Sequence, residues 1–272
     1  MAMKELNGRE LAGYIQERQA KAVRSLRQAN HVVPKLAIIR TNPDPVVDSY
    51  MRIKQSYGQD ILVDVDVHTI DQTAALDTIQ KLNNDSSVHG IIVQIPLPDP
   101  KQTQQILDAV APHKDVDGLA THTVFDPATP MAINWLLAGY GVELTNKHLV
   151  VVGHGRLVGK PLARIWQASN LDVVVVDKTV KDLPAVTKSA DVLVCATGVA
   201  GLVTADMVKS NAIIVDAGVA TDSNGLVGDV AQNVRQLPNI TITPKKGGVG
   251  PLTVSALFEN VISSARATTI GQ

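Results

Sequence analysis

The sequence predicts an α/β protein of two domains, each built on parallel strands covered by helices. Three observations predict it. Short apolar runs (KLAIIR, HGIIVQIPLP, HLVVVG, LDVVVVD, DVLVCAT, NAIIVDAG) alternate with segments of helical periodicity, the pattern of strands buried on both faces. The length of 272 residues suits two domains, or one large one. Aromatic residues make up only 3%, with 2 Phe, so the cores must be built from Val, Ile, Leu and Ala.

The elements follow in chain order. From Lys4 to about Ala29, Leu6, Leu11, Ile15, Val23 and Leu26 recur on one helix face with charges between them. Lys35 to Arg40 is a short strand, TNPDPVVD a Pro-broken loop, Ser49 to Tyr57 a helix and ILVDVDVHTI a strand. Thr73 to Leu82 reads as a helix, His89 to Pro98 as a strand ending in a Pro-rich loop, and Thr103 to Val110 as a helix. Thr129 and Pro130 have the chemistry of a helix N-cap and first position, with the helix running to Tyr140 and acting as the linker. Beyond it lie HLVVVG, a helix from Gly159 to Ser169, LDVVVVD, a helix within Asp182 to Ser189, DVLVCAT, a short helix from Thr204, NAIIVDAG, ITITP and a last helix from Leu252 to Ala267. The expected domains are 1–114 with 252–272, and 115–251.

Charge and cysteine content narrow the partners. With 25 Lys+Arg against 26 Asp+Glu there is no basic surplus to attract nucleic acid or anionic lipid, so small ligands are expected. A single cysteine, Cys195, forms no internal disulfide and builds no Cys-based metal site, which fits a reducing compartment, the cytoplasm. No signal-like apolar core opens the chain and no run approaches about 18 apolar residues, so neither export nor a membrane span is expected. No metal is expected.

Gly153, Gly155 and Gly159 in VVVGHGRLVGKP stand where an apolar strand meets a helix. Glycines there permit a tight turn and close approach of backbone N–H groups to a pyrophosphate, in the favourable field of the helix N-terminus. The spacing is one residue longer than the usual dinucleotide fingerprint, whose third glycine would fall on Val158. Asp177 ends the next strand, at about the interval where an acid meets the adenosine ribose. That favours NAD, whereas Lys178, Arg156 and His154 would neutralise the 2′-phosphate of NADP. Both readings stay open.

Tyr50 and Lys54 are one helical turn apart and share a face. Short-chain dehydrogenases carry such a pair downstream of their glycine turn. Here it stands upstream, against that class. Gln94 sits near a strand's carboxyl end, where open parallel sheets bind ligands. Asp115 and Asp117 in KDVDG lie in a polar loop, and TPKKGGVGPLT sets glycines and prolines around Lys245 and Lys246 before the last helix.

In this order YMRIK, VQIPLP, KDVDG, ATP before a helix, VVVGHGRLVGKP and TPKKGGVGPLT resemble the bifunctional methylenetetrahydrofolate dehydrogenase/cyclohydrolase family over nearly the whole chain. The resemblance implies an N-terminal catalytic α/β domain, a Rossmann-like NAD(P)-binding domain, a final helix returning to the first, and a homodimer. It implies oxidation of methylenetetrahydrofolate by NADP, or NAD, and hydrolysis of the methenyl product to formyltetrahydrofolate in one cleft. By motif position, Lys54 assists water addition and proton movement, Tyr50 stacks on the folate, Gln94 orients the Lys54 amine and Asp117 holds the pterin. Gly247, Gly248, Val249, Gly250 and Pro251 line the folate side. The expected cofactor residues are Gly153, His154, Gly155, Arg156, Val158, Gly159, Asp177 and Lys178, with Thr197 and Gly198.

The departures from the family pattern are specific. Gly153-His154-Gly155 replaces Gly-Arg-Ser at the phosphate turn, Ser56 replaces a second lysine, and Lys245-Lys246 replaces Val-Pro ahead of Gly247, placing two cations where glutamyl carboxylates of a folate tail would be met. LATHTVFDPATP lacks a His-Pro-x-Asn element. Two alternatives stay open: a folate- or nucleotide-binding relative without catalysis, suggested by the altered phosphate turn, and a dehydrogenase of another small substrate on a similar two-domain frame.

Overall fold

In chain order the computed structural model, which describes residues 3–222 and 225–269, begins with β1 (Lys4–Glu5), α1 (Gly8–Ala29), β2 (Lys35–Arg40), α2 (Pro45–Ile61), β3 (Asp64–Thr69), α3 (Ala75–Asn84), β4 (Gly90–Val93) and α4 (Thr103–Asp108). Next come α5 (Ala128–Gly139), β5 (Leu149–Val152), α6 (Gly159–Ala168), β6 (Val173–Val176), α7 (Leu183–Ser189), β7 (Val192–Cys195) and β8 (Ile213–Asp216). The antiparallel pair β9 (Ala220–Asp222) and β10 (Gly225–Val227), then β11 (Thr241–Ile242) and α8 (Val249–Ala267), complete it. Among the described residues no helix is long and apolar enough to cross a membrane.

The chain divides into two compact units. The three-stranded unit comprises Gly13–Ala128 and Val254–Gln272; the six-stranded unit comprises Met1–Ala12 and Thr129–Thr253. This differs from the boundaries expected after residues 114 and 251. The KDVDG loop explains the first difference, because Asp115 bridges Ile91 of β4 and Asn260 of α8 donates to the carbonyls of Val116 and Asp126.

In the three-stranded unit the order is β3-β2-β4, all parallel. β4 is buried along its whole length and β2 everywhere but at its two ends, as continuous apolar runs require. One layer of the core joins Ala37, Ile39, Ile91 and Val93 to Ile79 and Leu82 of α3 and Ile106 and Leu107 of α4. Elsewhere in the unit, Tyr57 of α2 stacks on Phe258 of α8 at 5.1 Å. Its hydroxyl donates to Gln19 Oε1 at 2.7 Å and accepts from the Ser255 hydroxyl at 3.0 Å, and burial pushes the phenol up to about 12.

The six-stranded unit has the order β1-β11-β8-β7-β5-β6, again all parallel. Its core includes Val150, Val152, Leu193, Cys195, Ile214 and Ile242. Cys195 is a free, fully buried thiol, and burial pushes its pKa well up. β6 and β7 lie on opposite sides of β5, so the connections reverse direction at β5/β7 and open a crevice at the strands' carboxyl ends. In the smaller sheet the reversal falls between β2 and β4.

Several elements differ from expectation. Lys4 and Glu5 are not the start of the first helix: they pair with Thr241 and Ile242, and Asn7 accepts from the N–H groups of Arg9 and Glu10, a cap that delays the helix to Gly8. Pro45 is not loop but the first residue of α2, with Asp44 accepting from Val47 N. Helix α5 begins at Ala128, so Thr129 lies inside it. Thr204 leads only a single 3-10 turn, Ala205–Met207. α8 starts at Val249, which places Pro251 in its first turn, where its missing N–H costs nothing.

Candidate active site

α2 presents Tyr50 and Lys54 one turn apart, as their spacing predicts, with Tyr50 40% exposed and Lys54 half-buried. Gln94 follows β4 at the switch point, its N–H bonded to Ile39 O of β2 at 2.9 Å. Its side-chain oxygen accepts from the Lys54 ammonium at 3.0 Å, and its amide nitrogen donates to Ile95 O at 3.3 Å, which fixes which way the amide faces. Desolvation lowers the Lys54 pKa, opposed by the nearby charge of Asp117. Desolvation likewise raises the Asp117 pKa, opposed by Lys54 and reinforced by Asp115. Both side chains keep part of their surface open, so the amine and carboxylate are electrostatically coupled and still reachable. The Asp117 carboxylate accepts no hydrogen bond from the described residues, which leaves its lone pairs for a ligand.

The rest of KDVDG does something else. Asp115 is buried and accepts from the N–H groups of Gly118 at 3.2 Å and Ala120 at 2.9 Å. Gly118 has φ +69°, and a Cβ there would come within 2.8 Å of Phe125 O, so only glycine closes this turn. Lys114, 6% exposed, donates to the carbonyls of Leu82, Asn83 and Asp85 at 2.7–3.0 Å, closing the carboxyl end of α3. Lys114→Met keeps the stem and removes these bonds, so it is expected to cost roughly 2–3 kcal/mol in urea unfolding. An unchanged midpoint would show that solvent serves those carbonyls equally well.

In the six-stranded unit the glycine turn lies at the switch point. Gly153 has φ +107° and donates to Val176 O at 2.8 Å; a Cβ on it would meet Ala196 O at 2.5 Å. A Cβ on Gly159 would overlap the Gly153 carbonyl oxygen, so the helix start is packed against the turn backbone to backbone. Gly155, by contrast, is exposed, and a Cβ added to it would meet nothing within 4 Å, so packing within the chain does not require glycine there. The backbone N–H groups of residues 154–158 donate to no described residue, and α6 begins just beyond them. His154 and Arg156 are exposed and Val158 is half-buried. This cradle fits a pyrophosphate.

At the same end of the sheet, Asp177 and Lys178 are exposed after β6, and Thr197 and Gly198 follow β7, Gly198 with φ +72°. Sequence reasoning missed what holds that second loop. Fully buried Asp229 accepts both the Thr197 N–H at 2.6 Å and its hydroxyl at 2.9 Å. Asp229's own N–H donates to Asp216 at the end of β8, whose pKa burial raises. Leu157, Val199 and Val219, 45–56% exposed, sit after β5, β7 and β8. The one available signal was GDV, a buried-acid turn indistinguishable by composition from a solvated one.

The Gly247–Pro251 run is partly structural. Gly247 has φ +89°, and Arg9 N donates to its carbonyl at 2.9 Å. A Cβ on Gly8 would overlap Gly248 O, while Gly250 has open space around it. Lys245 and Lys246 are exposed.

A parallel α/β unit with a lysine, amide and carboxylate at its switch point, joined to a second with a dinucleotide cradle, defines a nicotinamide-dependent enzyme class. Residues 6–117 match the profile described as tetrahydrofolate dehydrogenase/cyclohydrolase, catalytic domain, and residues 127–269 the one described as its NAD(P)-binding domain. The chain belongs to the tetrahydrofolate dehydrogenase/cyclohydrolase family. It is 36% identical over 275 residues to the bifunctional protein FolD of Exiguobacterium sibiricum, covering 96% of this chain and 99% of the relative. FolD of Sulfurovum sp. is 36% identical over 279 residues, covering 97% and 99%. The crystal structure of FolD from Campylobacter jejuni superimposes with a TM-score of 0.94 at 33% identity, over 98% of this chain and all of that one. The Trypanosoma brucei enzyme, solved with NADP cofactor and inhibitor, gives 0.91 at 28% identity over 98% and 99%.

Proposed function

We propose that this chain oxidises 5,10-methylenetetrahydrofolate to 5,10-methenyltetrahydrofolate with NADP, or NAD, and hydrolyses the product to 10-formyltetrahydrofolate. The observation that carries the reading is the Lys54 amine, lowered in pKa by burial and held by Gln94 at 3.0 Å. Family membership supports both activities. A cytoplasmic homodimer is the accompanying expectation.

When bound, the nicotinamide supplies a hydride acceptor. The residues of the chain do the rest. The backbone N–H groups after Gly153 and the α6 terminus bind the pyrophosphate, and the loop of Thr197 and Gly198 faces the same end of the sheet. Asp117, with free lone pairs, accepts hydrogen bonds from the pterin's donor edge and fixes the ring. Tyr50 offers its exposed ring for stacking beside the amine.

In the hydrolytic step, a neutral Lys54 amine gives one N–H to Gln94 Oε1, which leaves its lone pair directed for a proton. Water adds to the methenyl carbon as Lys54 takes one of its protons. The carbon–N5 bond then breaks, N5 receives the proton from Lys54, and the hydroxyl proton leaves to solvent as the formyl C=O forms. One water is consumed and one proton released.

Purified chain given methylenetetrahydrofolate with NADP or NAD is expected to form reduced cofactor and then 10-formyltetrahydrofolate. Ligand-dependent melting without turnover would replace this reading with that of a binding protein.

A further inference from the structure

The end of β6 carries a device that the glycine turn does not need for binding phosphate. Asp177 Oδ1 accepts both the Thr179 N–H at 2.9 Å and the Thr179 hydroxyl at 2.7 Å, and Val180 N closes the turn on Asp177 O at 3.1 Å. Its other oxygen, Oδ2, accepts nothing from the described residues. β6 pairs in parallel with β5, and Gly153 N bonds the last carbonyl of β6, so this carboxylate and the glycine turn share one end of the sheet.

We infer that Thr179 holds Asp177 as a fixed acceptor for a ribose 2′-hydroxyl, and that this makes the chain select NAD over NADP. The inference rests on the dehydrogenase reading above. A 2′-hydroxyl can donate to Oδ2, whereas a 2′-phosphate brings negative charge against an ionised carboxylate. The two hydrogen bonds from Thr179 hold the Asp177 carboxyl below its usual range, with the charges of His154 and Lys178 adding to this. A free aspartate would swing aside to admit a phosphate. This one must first break two bonds on a single oxygen. His154, Lys178 and Arg156 are the cations available to offset the repulsion, but all three are exposed. Salt screens these charges as it screens that of Asp177, which is equally exposed, so what sets the carboxylate apart is its position, fixed by the two hydrogen bonds from Thr179.

The test is dissociation constants of NAD and NADP for the full chain without folate, then kcat and KM with methylenetetrahydrofolate. The wild type is expected to favour NAD by about tenfold or more, the worth of one well-placed polar contact. Thr179→Ala should narrow that ratio several-fold through KM for NAD rather than kcat, Thr179→Ser should restore it, and Asp177→Ser should bring the two nucleotides level or reverse them. NADP bound as tightly as NAD by the wild type, or an unchanged ratio in Thr179→Ala and Asp177→Ser, overturns the inference. Folate turnover with NADP preferred leaves the proposed function standing and removes this selectivity. NAD preference in binding without folate turnover does the reverse, and no binding of either nucleotide removes both.

Discussion

Lys54→Met should abolish hydrolysis of methenyltetrahydrofolate by about a thousandfold, within the range that a positioned proton-transfer group contributes, while folate binding falls far less. The methionine keeps the length and apolar stem of the side chain on α2, so Tyr50 and the helix face are preserved. What disappears is the lone pair that Gln94 directs at 3.0 Å. Initial rates of 10-formyltetrahydrofolate formation beside folate titrations separate the two effects, and a full hydrolytic rate in the variant would remove Lys54 from the role. The pH profile has a defined sign. Below its pKa the amine is protonated and has no lone pair, so the hydrolytic rate should rise with pH through that pKa. Burial places the rise below the ordinary lysine value. Because the Asp117 charge holds the proton on Lys54, Asp117→Asn should shift the rise to still lower pH, together with a higher KM for folate.

Gly159→Ala should disable dinucleotide binding and destabilise the six-stranded unit together. Its Cβ would overlap the carbonyl oxygen of Gly153, so the start of α6 and the turn must part. Displacement of the phosphate-binding amides by about 1 Å is enough to cost roughly a hundredfold, and the forced backbone shift should remove about 2–4 kcal/mol. Gly155→Ala is the informative partner. Nothing lies within 4 Å of its Cβ position and its φ is not left-handed, so stability should stay within about 0.5 kcal/mol. Any loss of dinucleotide affinity then reports obstruction of the ligand alone. Equal affinity in both variants and wild type would place the pyrophosphate elsewhere.

Much of this was legible in the sequence alone. The apolar runs marked most strands because a strand buried on both faces has no polar alternative, and KLAIIR coincides with β2 residue for residue. The glycines of GHGRLVG and the Tyr50–Lys54 spacing were readable because each is a local rule about one turn of backbone. The Gln94 contact was foreseen only through family resemblance, since forty residues separate it from Lys54. KDVDG was half legible: Asp117 accepts no hydrogen bond from the described residues and is coupled to Lys54, whereas Lys114 and Asp115 are consumed in holding α3 and the loop.

The amino-acid order alone determined the α/β class and where the glycine turn and the loop after β4 fall in the chain. Only the tertiary structure decided that Lys4 and Glu5 extend the larger sheet beside Thr241 and Ile242, that Asp229 holds Thr197, and that Thr179 occupies one oxygen of Asp177. The first two join residues far apart in the chain, where no local period carries information. The third depends on side-chain rotamers set by the turn, and hydrogen bonds report those choices only once the backbone is in place.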